Sequence, residues 1–211
     1  IGTRRGRSLR QVLADAEALI CELPKAVRDT VVDTFLHYKV GAPVRFEKPE
    51  AVIFGLLGEK AVQTLATLGL ARPPSVIDTF STASAFGGTL LISRGRDLPA
   101  AGFTLHTDVA AAASLEEKLR DLLGEPLNRA TLDTLRVEEG IPWHGIDVKE
   151  ENLLHETGQL GVYHSSSKGC YLGQEVVARL EGRGGNVNKR LVGLKGAAPI
   201  PAGGDILAEE K

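Results

Sequence analysis

A strand-like apolar run followed by a helix with one apolar face recurs three times along this chain, at residues 11–38, 51–66 and 102–122. In each helix the apolar residues return every three to four positions, which is the period of a helix that is buried on one side. Helices of this kind bury their apolar faces against a sheet. The recurring units therefore predict an α+β domain with ferredoxin-like halves.

Proline, glycine and capping residues set the boundaries of these units. The first unit reads as two short strands around residues 15–17, and Pro24 then suits the first position of a helix. Asp108 is a capping residue before the third helix, and a fourth helix over residues 131–139 ends at Gly140. The apolar positions expected to face the core are Val27, Val31, Phe35 and Tyr38 in the first helix, Val62, Leu65 and Ala66 in the second, and Leu115, Leu119 and Leu122 in the third.

Composition excludes several classes of protein. The chain has 211 residues, of which 43% are hydrophobic and 25% charged, as is typical of a folded domain. A net charge of −2 gives no overall attraction to nucleic acid, and no apolar run reaches the roughly 18 residues of a membrane span. Two distant cysteines argue against a disulfide framework, and irregularly spaced histidines predict no metal site. We expect a reducing compartment without a membrane partner, either the cytoplasm or, in a eukaryote, the mitochondrial matrix.

A glycine-flanked cysteine lies in residues 168–175, which read KGCYLGQE. The glycines around Cys170 leave space for a ligand or partner. Lys168 and the positive end of a helix predicted over residues 176–180 favour the thiolate. These features predict a functional thiol, and the alternative is a small buried side chain that only packs.

Charged residues lie on both sides of a turn rich in proline and glycine that follows the fourth helix. Carboxylates at a rigid turn can accept the amide and amino hydrogens of a heterocyclic ligand, and Arg136 can meet a negative group. Trp143, the only tryptophan, can stack on an aromatic ligand. The alternative is a solvated helix face, with one carboxylate capping the next helix and the tryptophan anchoring the packing. The charged residues of this constellation are Arg136, Glu138, Asp147 and Glu156.

A glycine-rich hinge is predicted at residues 183–186, followed by a strand over residues 187–194. A basic run surrounds this hinge and can meet RNA phosphates or a chain of carboxylates. The alternative is a hinge whose charges are only solvated. The basic residues are Arg179, Arg183, Lys189 and Arg190.

Three segments resemble, in the expected order, the signatures of YgfZ-type folate-binding proteins, which are relatives of the glycine-cleavage T-protein, an aminomethyltransferase. They are residues 135–147 (LRVEEGIPWHGID), residues 168–175 and residues 188–194 (NKRLVGL). The resemblance implies a T-protein-like folate-binding domain over residues 1–185 and the start of a C-terminal β-barrel over residues 186–211. We expect further strands of the domain to precede the first residue given and the barrel to continue past the last one.

The resemblance also implies a function. The ligand would be tetrahydrofolate, and the role would be the assembly or repair of iron-sulfur proteins, including those that modify tRNA. Cys170 would be the functional thiol, with Lys168 and Glu175 tuning or positioning it. The partners would be iron-sulfur client or assembly proteins, and tRNA through the basic run. The residues expected to contact the folate are Arg136, Glu138, Trp143, Asp147, Glu156, Tyr171 and Gln174.

Two departures from the T-protein leave enzymatic activity open. The catalytic aspartate of the T-protein corresponds here to Gln11, which cannot accept a proton as a carboxylate does, or to Asp15 if a gap intervenes. The folate-contacting glutamate of the T-protein corresponds to Thr104. An aminomethyltransferase or another folate-dependent one-carbon enzyme is the first alternative. A scaffold that binds proteins or tRNA through the basic hinge is the second.

Overall fold

The computed structural model describes residues 11–14, 18–70, 73–96, 98–196, 200 and 203, and only the backbone of residues 11–13. The described chain starts with an antiparallel hairpin of β1 (Gln11–Ala14) and β2 (Leu19–Glu22), in which Gln11 lies opposite Glu22. The prediction of two short strands is confirmed. Asp15 lies outside the described residues. A 3-10 helix (Lys25–Val27) and α1 (Arg28–Tyr38) follow Pro24, as predicted.

A four-stranded antiparallel sheet forms the centre of the fold. Its strands are β3 (Ala51–Leu57), β4 (Thr79–Ala85), β5 (Gly88–Arg94) and β6 (Gly102–Asp108), in the spatial order β3-β6-β5-β4. Two helices belong to the same unit, α2 (Ala61–Thr67) between β3 and β4, and α3 (Val109–Leu123) after β6. The predicted strand at residues 51–57 and the predicted cap of α3 are both confirmed, because the Asp108 side chain accepts a hydrogen bond from the Ala111 amide at 2.8 Å.

The hydrophobic core lies between one face of this sheet and the two helices. Side chains alternate along a strand, so that β6 directs Phe103, Leu105 and Thr107 to this face and Thr104 and His106 to the opposite face. Burying a core of this size on one side leaves the second face of the sheet available for other contacts. The buried core residues are Leu56, Ala61, Leu65, Leu70, Leu90, Ile92, Phe103, Leu105 and Leu115.

The mixed helix and sheet composition is as predicted, but the order of elements differs from a ferredoxin-like βαββαβ unit. Three strands, β4, β5 and β6, follow one another without an intervening helix. The sequence analysis did not predict β4 or β5. The strand β4 consists of small and hydroxylated residues rather than branched or aromatic ones, and its turn to β5 places Phe86 and Gly87 at φ +55° and +81°. A hairpin turn of this kind is usually recognised from Asn-Gly or Asp-Gly, and a phenylalanine gives no such signal.

The C-terminal part of the chain is built from short helices. The predicted fourth helix is α4 (Arg129–Glu138), capped by Asn128, and it ends before Gly140 at φ +66°. A 3-10 helix (Leu154–Thr157), α5 (Leu160–Tyr163) and α6 (Gln174–Glu181) follow.

The prediction of a strand over residues 187–194 was wrong. Within the described ranges these residues form no ladder with a neighbouring segment, and a strand requires such a ladder. Their backbone is instead tied to the preceding 3-10 helix, because the Leu191 amide donates to the Glu156 carbonyl at 2.7 Å. The proposed domain boundary after residue 185 stays a prediction.

Four of the ten side chains expected in the core are exposed. In α2, Val62 and Ala66 face solvent because the buried face starts at Ala61 and continues through Thr64 and Leu65. Tyr38 and Leu122 lie in the last turns of α1 and α3, where burial has ended. Among the helices that the structure describes, none is long and apolar enough to cross a bilayer.

The two leucines of α3 provide a matched test of the core. Leu115 is 0% exposed and Leu122 is 44% exposed. We expect Leu115→Ala to lower the free energy of unfolding by about 2 to 5 kcal/mol, since it leaves a cavity against the sheet. Leu122→Ala should cost less than about 1 kcal/mol. Urea denaturation measures both, and equal losses would contradict the assigned face of α3.

Candidate functional site

Cys170 lies in an irregular segment just before α6, and its side chain is exposed. The N-cap residue of this helix is Gly173, whose φ of +84° is readily reached only by glycine. Gln174 fixes this start, because its side-chain oxygen accepts a hydrogen bond from the Tyr171 amide at 3.0 Å. Gly169 is not needed to leave space around the sulfur as expected, since a Cβ atom there would meet no atom within 4 Å. The thiol is therefore accessible because the whole segment is open.

Lys168 contacts the ring of Tyr171, with its ammonium 4.2 Å from the ring centre. The same ring lies 6.1 Å from the ring of His164, which in turn is 3.5 Å from the carboxylate of Glu181. Burial, and secondly the charge of Glu181, raise the pKa of Tyr171. The phenol is thus neutral at neutral pH, and the charge of Lys168 stays uncompensated by it.

Glu175, the third residue expected near the thiol, forms an exposed ion pair with Arg179 at 2.6 Å, one helical turn further along α6. A solvated pair of this type contributes at most about 0.5 kcal/mol. A role of Glu175 at the thiol therefore stays a prediction.

Arg136 is the buried centre of the second predicted site, with 3% of its surface exposed. Its guanidinium donates to Asp133 and to Asp147, each at 2.5 Å. The same Asp147 oxygen accepts from the Trp143 amide at 2.8 Å, and the Trp143 ring lies 4.8 Å from the guanidinium of Arg136 and 4.3 Å from that of Arg129. The predicted grouping of Arg136, Trp143 and Asp147 exists, but these groups bond to one another and fix the turn.

The two remaining carboxylates of this region, Glu138 and Glu156, lie in different surroundings. Glu138 is exposed on α4. Glu156 accepts hydrogen bonds from the Leu153 amide and the Asn152 side chain, both at 3.1 Å, and so caps the short 3-10 helix. Of these two carboxylates, only Glu156 lines the cavity that Asp147 also lines.

That cavity is small, about 170 Å³, and half open to solvent. Ligand pockets for molecules the size of a folate usually have volumes of roughly 300 Å³ or more. The cavity therefore does not enclose a whole folate. It is lined by Asp147, Val148, Asn152, Glu156, Thr157, Lys189, Arg190 and Leu191.

A second polar group lies on the face of the sheet opposite the core. Thr104 and His106 of β6 share this face, together with Ser93 of β5. The His106 ring is 3.4 Å from the Ser93 hydroxyl and 3.7 Å from the carboxylate of Glu22 in β2. Burial lowers the pKa of His106, so its ring is neutral at neutral pH.

The hydroxyl of Thr104 is the unusual member of this face. Thr104 is 2% exposed, and its oxygen has no hydrogen-bond partner in the described part of the chain. A buried polar atom without a partner costs about 1 to 3 kcal/mol, and such atoms often mark the place of a bound molecule.

Comparison with known proteins gives close agreement in sequence over most of the chain. It is 33% identical to the tRNA-modifying protein YgfZ of Cronobacter sakazakii over 172 residues, which make up 77% of this chain and 48% of that protein. It is 33% identical to the protein of the same name from Yersinia enterocolitica over 190 residues, 87% of this chain and 54% of the relative. The chain is a YgfZ-type sequence.

The YgfZ protein of Yersinia pseudotuberculosis is 31% identical over 188 residues, again 87% of this chain and 54% of the relative. The YgfZ-type chain spans about half the length of the curated relatives it matches. No protein-family model matches it.

Sequence reasoning missed the polar face of the sheet in this YgfZ-type chain. Alternation along β6 was a signal for it, because Thr104 and His106 interrupt an apolar strand at every second position. The contribution of Glu22 has no local signal, since it depends on how the first hairpin lies against the sheet.

The basic run is only partly available for a partner. Arg179 is paired with Glu175, whereas Arg183, Lys189 and Arg190 are exposed and form no ion pair with any residue that the structure describes. Contact of these residues with tRNA stays a prediction.

The two arginines on Trp143 provide a test of the turn. Arg136→Ala removes a buried guanidinium from two carboxylates, and we expect a loss of about 2 to 4 kcal/mol, because both carboxylates keep some access to water. Arg129→Ala removes only an exposed cation–π contact, and the loss should stay below about 1 kcal/mol. Chemical denaturation gives both values. Equal losses would show that Arg136 does not hold the turn.

Proposed function

We propose that this YgfZ-type chain acts in tRNA modification by binding tetrahydrofolate and by presenting the Cys170 thiol to iron-sulfur proteins during their assembly or repair. The observation that carries the proposal is the exposed cysteine in an open segment that opens a helix. Its relatives are named tRNA-modifying proteins, which supports the link to tRNA.

The two cysteines differ in their suitability for this role. Burial raises the pKa of Cys21, and this keeps the thiol protonated at neutral pH. Cys170 is exposed and can reach a thiol, a persulfide or an iron atom on another protein. A single thiolate does not complete the four-cysteine ligand set of a common cluster, so the proposal assigns the remaining ligands to the partner.

The polar face of the sheet supports a folate ligand. A pterin ring presents hydrogen-bond donors and acceptors along one edge, and it needs partners of both kinds. The unpartnered hydroxyl of Thr104 fits this requirement, and the buried carboxylate of Glu22 is an acceptor for donor groups. Thr104 also stands where the T-protein resemblance expects a folate-contacting glutamate, and we propose that Glu22 provides the carboxylate from the hairpin.

When bound, tetrahydrofolate supplies a carrier for one-carbon groups. The residues of this chain would bind and orient it. Thr104 and Ser93 offer hydroxyl groups, His106 a neutral ring, and Glu22 a charge.

Folate binding is tested by thermal unfolding of the full-length protein. Tetrahydrofolate at about one hundred times its dissociation constant should stabilise the protein by about 2.7 kcal/mol. Thr104→Val, which replaces an unpaired buried hydroxyl by a methyl group, should fold normally and lose most of this shift. Thr89→Val, at an exposed position of β5, is the control and should keep it. Equal stabilisation of both variants by tetrahydrofolate would show that the ligand does not bind at Thr104. No stabilisation of the wild type would exclude folate as the ligand.

The thiol is tested in cells that lack the YgfZ-type protein. The full-length wild type should restore the products of iron-sulfur tRNA-modifying enzymes, measured as modified nucleosides by mass spectrometry. Cys170→Ser at the same protein level should restore less than about a tenth, because serine neither ligates iron as a thiolate does nor exchanges with thiols. Cys21→Ser is the matched control and should restore them as the wild type does. Full rescue by Cys170→Ser would show that the function does not require the Cys170 thiol.

A further inference from the structure

The small cavity beside Asp147 has walls of opposite charge. Asp147 and Glu156 belong to one of the two chain segments that line it, and Lys189 and Arg190 belong to the other. The segment with the two cations is held in place, because the Leu191 amide donates to the Glu156 carbonyl at 2.7 Å. The cavity is therefore a defined gap between two backbone segments.

The charges of the two segments do not pair with each other. Throughout the described chain, no ion pair within 4 Å joins Lys189 or Arg190 to Asp147 or Glu156. Their separation leaves room between them for a molecule that carries both charges.

The carboxylates are also set in position for an outside donor. One oxygen of Asp147 accepts from Arg136 and from the Trp143 amide, and one oxygen of Glu156 accepts from Asn152 and the Leu153 amide. Each bond fixes its carboxylate and uses only one of the two oxygens. The second oxygen of each can accept a charge-assisted hydrogen bond.

The volume limits the ligand to a small molecule. About 170 Å³ is well below the size of common cofactor pockets and suits a molecule of a few heavy atoms. A simple anion would be opposed by Asp147 and Glu156, and a simple cation by Lys189 and Arg190. A zwitterion satisfies both walls.

We propose that this cavity binds a small amino-acid zwitterion, with its ammonium at Glu156 and Asp147 and its carboxylate at Lys189 and Arg190. The site is separate from the folate-binding face and from Cys170, and it does not depend on the function proposed above.

Three probes of similar size separate the contributions of the two charges. L-alanine carries both charges, propionate lacks the ammonium, and ethylamine lacks the carboxylate. Isothermal titration of the full-length protein should give an affinity for L-alanine at least about tenfold higher than for either of the others, since each charge-assisted bond is lost in one of them. Propionate binding as well as L-alanine would overturn the zwitterion and indicate a carboxylate site, such as one for the tail of a folate.

Variants assign the walls of the cavity. The double variant Lys189→Ala/Arg190→Ala changes exposed residues and should bind L-alanine at least about tenfold more weakly. Arg183→Ala, an exposed arginine that does not line the cavity, should bind within about twofold of the wild type.

Glu156→Gln keeps an oxygen for the two capping bonds and removes the charge, and it should weaken L-alanine binding by about tenfold. A thermal melt like that of the wild type shows that Glu156→Gln is folded. If Glu156→Gln does not fold, the proposal is judged from the double variant alone. Unchanged affinity in the double variant would overturn the proposal.

Discussion

The two-sided character of β6 is the constraint on which the sheet and its proposed ligand face both depend. Phe103 and Leu105 are directed to the helices and close the core, while Thr104 and His106 occupy the opposite face. Because successive side chains of a strand point to opposite sides, a shift of one residue in register would exchange the two sets. The full ladder from Ala51 opposite Asp108 to Leu57 opposite Gly102 prevents such a shift.

In the C-terminal part, the corresponding constraint is the charge of Arg136. A guanidinium that is almost fully buried requires partners, and it obtains them from α4 itself and from the turn that carries Asp147. These bonds place Asp147 at the edge of the small cavity. A residue expected to meet a ligand thus acts by positioning its neighbour.

The elements predicted correctly are those with signals in a few adjacent residues. The apolar run of β3, the cap at Asp108 and the stop at Gly140 all belong to this group. The hairpin of β4 and β5 was missed because its turn is formed by Phe86 and Gly87. The contact between Glu22 and His106 joins residues far apart in the chain, and nothing near either residue indicates the other. Tertiary packing alone creates that part of the candidate site.

The environment of Cys170 shows why exposure and charge belong together in a thiol that serves a partner. Lys168 rests on the ring of Tyr171, a phenol that is neutral at neutral pH, so the ring does not compensate the charge of the ammonium. This positive charge lies two residues from the exposed sulfur and attracts anionic groups to it. Cys21 is only half-exposed, and burial raises its pKa and so favours the protonated form. The two thiols therefore differ, because Cys21 is partly packed whereas Cys170 is accessible to a partner.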